Sequence, residues 1–282
     1  MTSYAVIYTI AGLAGLVVGS FLNVVISRLP VIADRAHHDN SNHETNSREQ
    51  FNLWVPRSRC ESCKQAIAWY DLVPILSWLL LRGQCRNCQA EIPWRYPLVE
   101  TFTCLFAILI VGTSGGFNYW SLVLGLFMTL LLCQAVIDYE KHILLDSLSY
   151  MLLWLGLVSS IVFASAQVLP RTEEAIFGAL FGYLSFWLIN FGFRACFKKD
   201  GMGAGDFKLF AAIGAWVGWV FLPFVVLIAI AFAFVYAISQ VITKKYSAEQ
   251  GIPFGPFLAG AGFVAVIFRE KLTLFMLTVE LL

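Results

Sequence analysis

Eight apolar runs, separated by short polar stretches, set out the chain: Tyr4–Ile26, Leu98–Gly112, Tyr119–Ile137, Leu148–Leu169, Ala175–Phe193, Leu209–Leu222, Phe224–Ile242 and Phe254–Phe268. A bilayer core takes about 20 apolar residues per helix, because every backbone polar group must find its partner within the lipid. Leu98–Gly112, Leu209–Leu222 and Phe254–Phe268 are short by that measure. The apolar tail Leu272–Leu282 either extends the last span or lies at the interface. The expected fold class is an all-α polytopic membrane protein of about eight transmembrane helices, with a small domain inserted after the first. The expected division is a first helix over 1–27, a polar insert over 28–97 and a helical membrane core over 98–282. Within the insert, residues 33–50 hold no large apolar side chain and read as a flexible linker, with His37, His38 and His43 as solvated members.

Composition agrees with this pattern. The chain is 59% hydrophobic and 13% charged, about half the usual charged share of a soluble domain. The net charge of +1 is uninformative, and no basic block suggests nucleic-acid binding. Residues 1–27 carry no charged side chain, and the first basic residue, Arg28, follows the apolar run. A secretory signal has the reverse order, so Tyr4–Ile26 reads as a retained span. Lys and Arg concentrate in cytoplasmic loops. With the N-terminus outside, the inner loops hold 16 of the 19 basic residues, leaving Arg171, Arg269 and Lys271 outside. No internal repeat of 20–50 residues is visible.

Four of the seven cysteines fall in the insert, as Cys60-x2-Cys63 and Cys85-x2-Cys88. Paired knuckles of this spacing supply four thiolates to one structural Zn²⁺, and on the cytoplasmic side a disulfide is disfavoured. A redox dithiol pair is the alternative. Four thiolates would fill the coordination sphere, so this is no hydrolytic zinc. Cys104, Cys133 and Cys196 lie in or beside apolar runs and read as packing residues. The aromatics Trp69, Tyr70, Trp78, Trp94 and Tyr96 around the knuckles read as interfacial and packing groups, with cofactor stacking as the second option.

Two carboxylates stand at membrane boundaries. Asp138 ends the run Tyr119–Ile137, and Asp206 precedes Leu209–Leu222. Brought together, they could share one proton and divide general-base and general-acid roles between them. Asp206 closes Gly201-Met202-Gly203-Ala204-Gly205-Asp206, whose alternating glycines permit unusual backbone angles and close approach of another chain. A tight interhelical turn with a solvated aspartate competes with that reading. Asp146 and Glu140 compete for the first role, although Asp146 also suits the start of the next helix. Lys208 either favours an ionised Asp206 or anchors the cytoplasmic boundary. Glu100 just inside the second span is either a snorkelling interfacial group or an expensive buried one.

Several stretches together resemble the type IV prepilin peptidase family: Gly15-x3-Gly19-Ser20-Phe21-Leu22-Asn23 through Arg28-Leu29-Pro30; the loop from Ser58 to Glu100 with its four cysteines; Asp138 to Asp146; Gly201 to Lys208; and Ile252-Pro253-Phe254-Gly255-Pro256-Phe257. The resemblance implies a multi-pass enzyme of the bacterial inner membrane, with a periplasmic N-terminus and a cytosolic zinc domain. Such an enzyme cuts the leader from type IV prepilins and type II secretion pseudopilins. It implies Asp138 and Asp206 as the catalytic aspartates, with Gly203, Gly205 and Lys208 in the active-site loop. It also implies S-adenosylmethionine as the donor for N-methylation of the new terminus. Pairing with a second copy is left open. One departure is Leu144-Leu145-Asp146, where the family has Leu-Pro-Asp. A transporter or non-catalytic scaffold carrying a zinc loop is the competing class.

Overall fold

The protein is described by a computed structural model covering residues 2–41, 51–164, 169–243, 252–269 and 271–273. Among these residues the regular structure is helical, with only isolated β-bridges at Arg59–Ala66 and Gln84–Glu91. The long helices are α1 (Thr2–Ser41), α3 (Arg95–Thr113), α4 (Tyr119–Lys141), α5 (Asp146–Val162), α6 (Thr172–Phe197), α7 (Ala204–Val217), α8 (Leu222–Ile242) and α9 (Gly255–Ile267), and α2 (Leu76–Leu80) is a single short turn. Each of the eight apolar runs thus has its helix. Five are long and apolar enough to cross a membrane: Tyr4–Ala36 within α1, then α3, α4, α6, and Trp219–Ile242 containing α8. The helices α5 and α9 are shorter apolar helices, and α5 stops at Val162 rather than near Leu169.

The first helix is longer than the apolar pattern implies. It continues past Ser27 to Ser41, over residues whose polarity suggests the start of a linker. This stretch contains Ala33, Arg35 and Ala36, good helix formers, and no glycine to stop it. The remainder of that linker, with His43, lies outside the described residues.

The chain forms two compact units, Met1–Thr129 and Leu130–Leu282, dividing within α4 rather than at residue 98. In the first unit α3 packs along α1. The reason is steric: a β-carbon on Gly15 would lie 2.6 Å from the Thr103 carbonyl oxygen, and one on Gly19 would overlap the Thr103 hydroxyl. The two glycines, four residues apart, make one flat face on α1, as small residues do between membrane helices.

In the second unit α7 is the central element, flanked by α5, α6 and α9. Every residue from Leu209 to Val217 is buried, as expected of a helix apolar on all faces. Here too glycines set the spacing. A β-carbon on Gly178 of α6 would overlap the Gly214 carbonyl of α7, and one on Gly182 would lie 2.8 Å from the Phe210 carbonyl. Trp216 fills the gap left by Gly156 of α5 and donates its indole N–H to the Leu152 carbonyl at 2.9 Å. Gly218, with φ of 82°, ends α7 in a conformation that L side chains rarely adopt.

Two glycines on α6 make a matched test. Gly178→Ala should destabilise the purified protein by about 1–3 kcal/mol through overpacking. Gly192→Ala, which meets nothing within 4 Å, should be neutral or stabilising by about 0.5–1 kcal/mol through helix propensity. Thermal unfolding in detergent reads both.

Candidate active site

Asp138 lies in the last turn of α4, and its side chain is buried at 6% exposure. A buried carboxylate must be compensated. The compensation comes from 117 residues away: the backbone N–H of Gly255, at the start of α9, donates to Asp138 Oδ2 at 3.0 Å. Only glycine permits this approach, since a β-carbon there would lie 2.6 Å from the same oxygen. Asp206 sits in the first turn of α7, where the positive end of the helix dipole favours a carboxylate. It is half-buried, and its N–H donates to the Gly203 carbonyl at 3.1 Å. Leu144 lies against both Gly205, the neighbour of Asp206, and Gly255, the donor to Asp138, so the fold brings the two aspartates into one locality of the second unit.

The link between α4 and α5 organises that locality. His142, with φ of 53°, turns the chain out of α4. Gln134, fully buried one turn before Asp138, grips the start of α5. Its Nε2 donates to the Ser149 hydroxyl at 2.7 Å and the Leu145 carbonyl at 3.2 Å, while its Oε1 accepts from the Leu145 N–H at 3.2 Å. A proline in place of Leu145 would lack that N–H, so the departure from Leu-Pro-Asp gains a hydrogen bond. Leu144 is thereby wedged between two glycines. Its Cβ would be 2.7 Å from a β-carbon on Gly205, and its Cδ2 3.1 Å from one on Gly255.

The glycine loop before α7 is held from α6. Asn190 Oδ1 accepts from the N–H groups of Gly201 at 2.9 Å and Met202 at 3.2 Å. The alternating glycines were expected to give unusual backbone angles, but none of Gly201, Gly203 or Gly205 has positive φ. They serve by being small: Gly201 faces the Phe193 ring at 2.8 Å from a would-be β-carbon, and Gly205 faces Leu144. Gly203 is the N-cap of α7, and a β-carbon there would meet only Asp206 Oδ2, at an ordinary 3.5 Å.

Asp146 and Lys208 belong to each other. Lys208 Nζ lies 2.5 Å from Asp146 Oδ2, so the lysine pairs with Asp146 rather than Asp206. Asp146 opens α5 and is largely solvent-facing. Sequence reasoning missed Gln134, Asn190 and the role of Gly255. Gly255 had a signal, a glycine between two prolines in Ile252–Phe257, and the other two had none.

In the first unit the four cysteines converge. The Sγ atoms of Cys60, Cys63, Cys85 and Cys88 all lie within 4.8 Å of one another. Cys60 and Cys88 are 3.7 Å apart, close to the roughly 3.8 Å edge of a tetrahedron with metal–sulfur bonds of about 2.3 Å. The two knuckles repeat the same turn 25 residues apart, from Cys60 to Cys85. Lys64 N–H donates to the Cys60 carbonyl and Gln89 N–H to the Cys85 carbonyl, each at 2.9 Å. Lys64 and Gln89 carry matching φ of 59° and 57°. Backbone N–H groups of Cys63 and Ser62 pull the Cys60 thiol down to about 6. At Cys88 the backbone N–H of Ala90 pulls the thiol down. Desolvation and the three neighbouring thiols outweigh it and push the group up to about 11. One sulfur is thus prepared for ionisation and another opposed by its neighbours, a conflict that a bound cation removes. The cluster could hold a metal ion. Of the other cysteines, Cys133 is buried, Cys104 half-buried and Cys196 exposed, so the packing role expected of Cys196 is not seen.

A polytopic helical membrane protein with two convergent aspartates and a glycine loop is the class that the geometry defines. Residues 13–113 match the bacterial peptidase A24 N-terminal domain, and residues 125–238 match the type IV leader peptidase family. The chain belongs to the type IV leader peptidase family. It is 37% identical to the prepilin leader peptidase/N-methyltransferase of Aeromonas salmonicida strain A449, covering 94% of this chain and 92% of that one. It is 38% identical to the protein of the same name from Aeromonas hydrophila, covering 96% and 94%. The type 4 prepilin-like proteins leader peptide-processing enzyme of Escherichia coli O78:H11 is 38% identical, covering 93% and 94%. No solved structure matches the chain.

Gly255→Ala forces a methyl group against Asp138 and should break the N–H bond. It is expected to destabilise the protein by about 1–3 kcal/mol. Gly260→Ala, whose nearest neighbour is 3.5 Å away, should not. Thermal unfolding of both variants is the check.

Proposed function

We propose that the chain is an intramembrane aspartic endopeptidase that removes the leader from prepilins and pseudopilins at the cytosolic face, and that it N-methylates the new terminus. The observation that carries the peptidase reading is a buried Asp138, held by the Gly255 N–H, joined through Leu144 to Gly205, the neighbour of the half-buried Asp206. One carboxylate takes a proton from water as the oxygen attacks the scissile carbonyl carbon. The other, protonated at the start, gives its proton to the amide nitrogen as the C–N bond breaks, leaving a carboxylic acid and an amine. The Gly255 N–H orients Asp138 throughout. Gly203, where a β-carbon would meet only Asp206 Oδ2 at 3.5 Å, leaves space beside that carboxyl in which an extended substrate segment can lie. The concentration of Lys and Arg in alternate loops supports an N-terminus in the periplasm and a cysteine domain in the cytosol, in the bacterial inner membrane that the family resemblance implies.

The four sulfurs fit a structural Zn²⁺, held by Cys60, Cys63, Cys85 and Cys88. A four-thiolate site has no open position for water. Its contribution is to the fold of a small loop domain with little core. Methylation calls for S-adenosylmethionine, which supplies an electrophilic methyl group.

Asp138→Asn and Asp206→Asn should each lower cleavage of a purified prepilin by about 10²–10⁴-fold or more, with normal insertion. Asp146→Asn breaks only a largely exposed ion pair, worth about 0–1 kcal/mol, and should cleave within about fivefold of the parent. Near-parental cleavage by either Asp138 or Asp206 variant, or its loss on Asp146→Asn, would reassign the roles.

Elemental analysis of the purified protein should find one zinc per chain, lost when Cys60 and Cys88 are both changed to Ser. Metal-free protein with an intact fold would refute the zinc site.

A further inference from the structure

The cysteine domain of the first unit turns apolar side chains outward where a small domain would be expected to hide them. Trp69, Leu72, Val73, Leu76, Leu79 and Leu80 are each between 38% and 75% exposed. They lie on the 3₁₀ turn Trp69–Leu72, on α2 and on the link between the two. Their spacing, at i, i+3, i+4, i+7, i+10 and i+11, is that of a single helical face. Trp78 is the member of this segment that turns inward. Its indole N–H donates to the Ile92 carbonyl at 3.2 Å, and its ring fills the space left by Gly83. An exposed apolar cluster of this density marks a surface that meets another apolar phase.

Contacts with the membrane helices set the level of this segment. The Ile75 N–H, at the start of α2, donates to Glu100 Oε2 at 2.7 Å. Glu100 lies five residues beyond Arg95, the first residue of α3, which is about 7 Å along the helix axis. The bond is held by a strained turn, since Ile75 is β-branched and has φ of 58°. Trp78 packs on Trp94, the residue before α3, with ring centroids 4.2 Å apart. As α3 is long and apolar enough to cross a membrane, α2 stands beside the mouth of a span rather than out in solvent. Trp54 repeats the arrangement on α1, its ring 5.9 Å from that of Phe21, an exposed member of the first apolar run. Tryptophans at the ends of spans belong to the headgroup layer. The only charged side chain between residues 69 and 80 is Asp71, and Arg86 covers it with hydrogen bonds of 2.6 and 3.0 Å. Arg57 and Arg82, close in sequence to Trp54 and α2, are exposed and suit lipid phosphates. Among the described residues, the exposed acidic groups Glu61 and Glu91 belong to the knuckles.

We propose that the segment Trp69–Leu80 is a membrane-surface element, whose apolar side chains enter the boundary between headgroups and acyl chains in the leaflet that α1 and α3 enter from the cysteine domain. Interfacial segments sink their apolar faces about 5–10 Å into that boundary, a depth that matches the bond from Ile75 to the second turn of α3. The cysteine domain is then seated on the lipid through its own side chains as well as through the two helices that carry it. A second copy of the chain or the apolar segment of a pilin would also cover such a face. Lipid is favoured by continuity: Leu98 and Phe102 of α3 are exposed on the same helix to which α2 is tied.

The test is photolabelling of the full-length protein in nanodiscs of phosphatidylethanolamine and phosphatidylglycerol, at one chain per disc and without pilin. A trace phospholipid carries a diazirine on an acyl carbon next to the headgroup, and the adducts are mapped by mass spectrometry. Adducts should form on Trp69–Leu80 at a yield within about threefold of that on Leu98–Leu105 of α3. The knuckle turns 61–65 and 86–89 should carry about tenfold fewer. The double variant Leu79→Glu, Leu80→Glu should lose most adducts over residues 69–80, by about fivefold or more, while keeping the α3 adducts and the metal content of the parent. A yield on Trp69–Leu80 no higher than on the knuckle turns overturns the proposal, whatever else covers the face. So does a yield that the double variant leaves unchanged. If the variant fails to fold, the comparison of segment with knuckle turns in the unaltered chain decides.

Discussion

A carboxylate buried where helices end has to be met by a donor, and Asp138 is met by the backbone of Gly255. Much of the second unit depends on that bond. It fixes the start of α9 against the end of α4, and leaves room for Leu144 only because Gly255 and Gly205 carry no side chain. Gln134 holds the intervening turn to α4, so the turn, the glycine loop and α9 meet at one place. An apolar residue at 138 would leave that meeting point without its polar tie.

The same economy of side chains recurs where helices cross. Gly15 and Gly19 admit α3 to α1, and Gly178 and Gly182 admit α6 to α7. Within lipid the hydrophobic effect gives no preference for helix over lipid contact, so close packing of small residues has to supply the adhesion. The bulk removed at these faces is replaced on others by aromatic stacking, as between Phe186 and Phe210 at 4.2 Å. Phe186 also contacts Phe254, the residue before Gly255, so the packing of α6 on α7 reaches the donor of Asp138.

The helices and both clusters of chemical groups were legible in the sequence to the extent that local rules govern them. Apolar runs located all eight long helices, and the doubled cysteine spacing located the metal-type cluster. Asp138 and Asp206 stood out because each sits at the end of an apolar run. Gln134 and Asn190 were invisible, because their partners lie 11 to 15 residues away, in or just beyond turns whose shape only the tertiary fold decides. Of the two reasons for singling out the glycines of the loop before α7, unusual backbone angles are not seen, whereas close approach is, at Gly201 against Phe193 and at Gly205 against Leu144. The extent of α1 was misread because polar composition was taken for disorder, although alanine and arginine favour helix and the helix runs on through Pro30. Glu100, left open between snorkelling and burial, is buried, and its donor at Ile75 lies in a turn that no sequence rule would have aimed at it.

The length of α1 carries a mechanical consequence. Forty residues of helix extend about 60 Å, roughly twice the hydrocarbon thickness of a bilayer. Wherever the lipid boundary falls, one end must stand clear as a mast, with Pro30 interrupting its helical hydrogen bonding. Arg28 lashes that mast to the chain at Asn52, Leu53 and Pro56 through their carbonyl oxygens. Force applied to the projecting end is therefore not lost in a slack tether. It arrives as leverage on the segment that leads into the first cysteine knuckle.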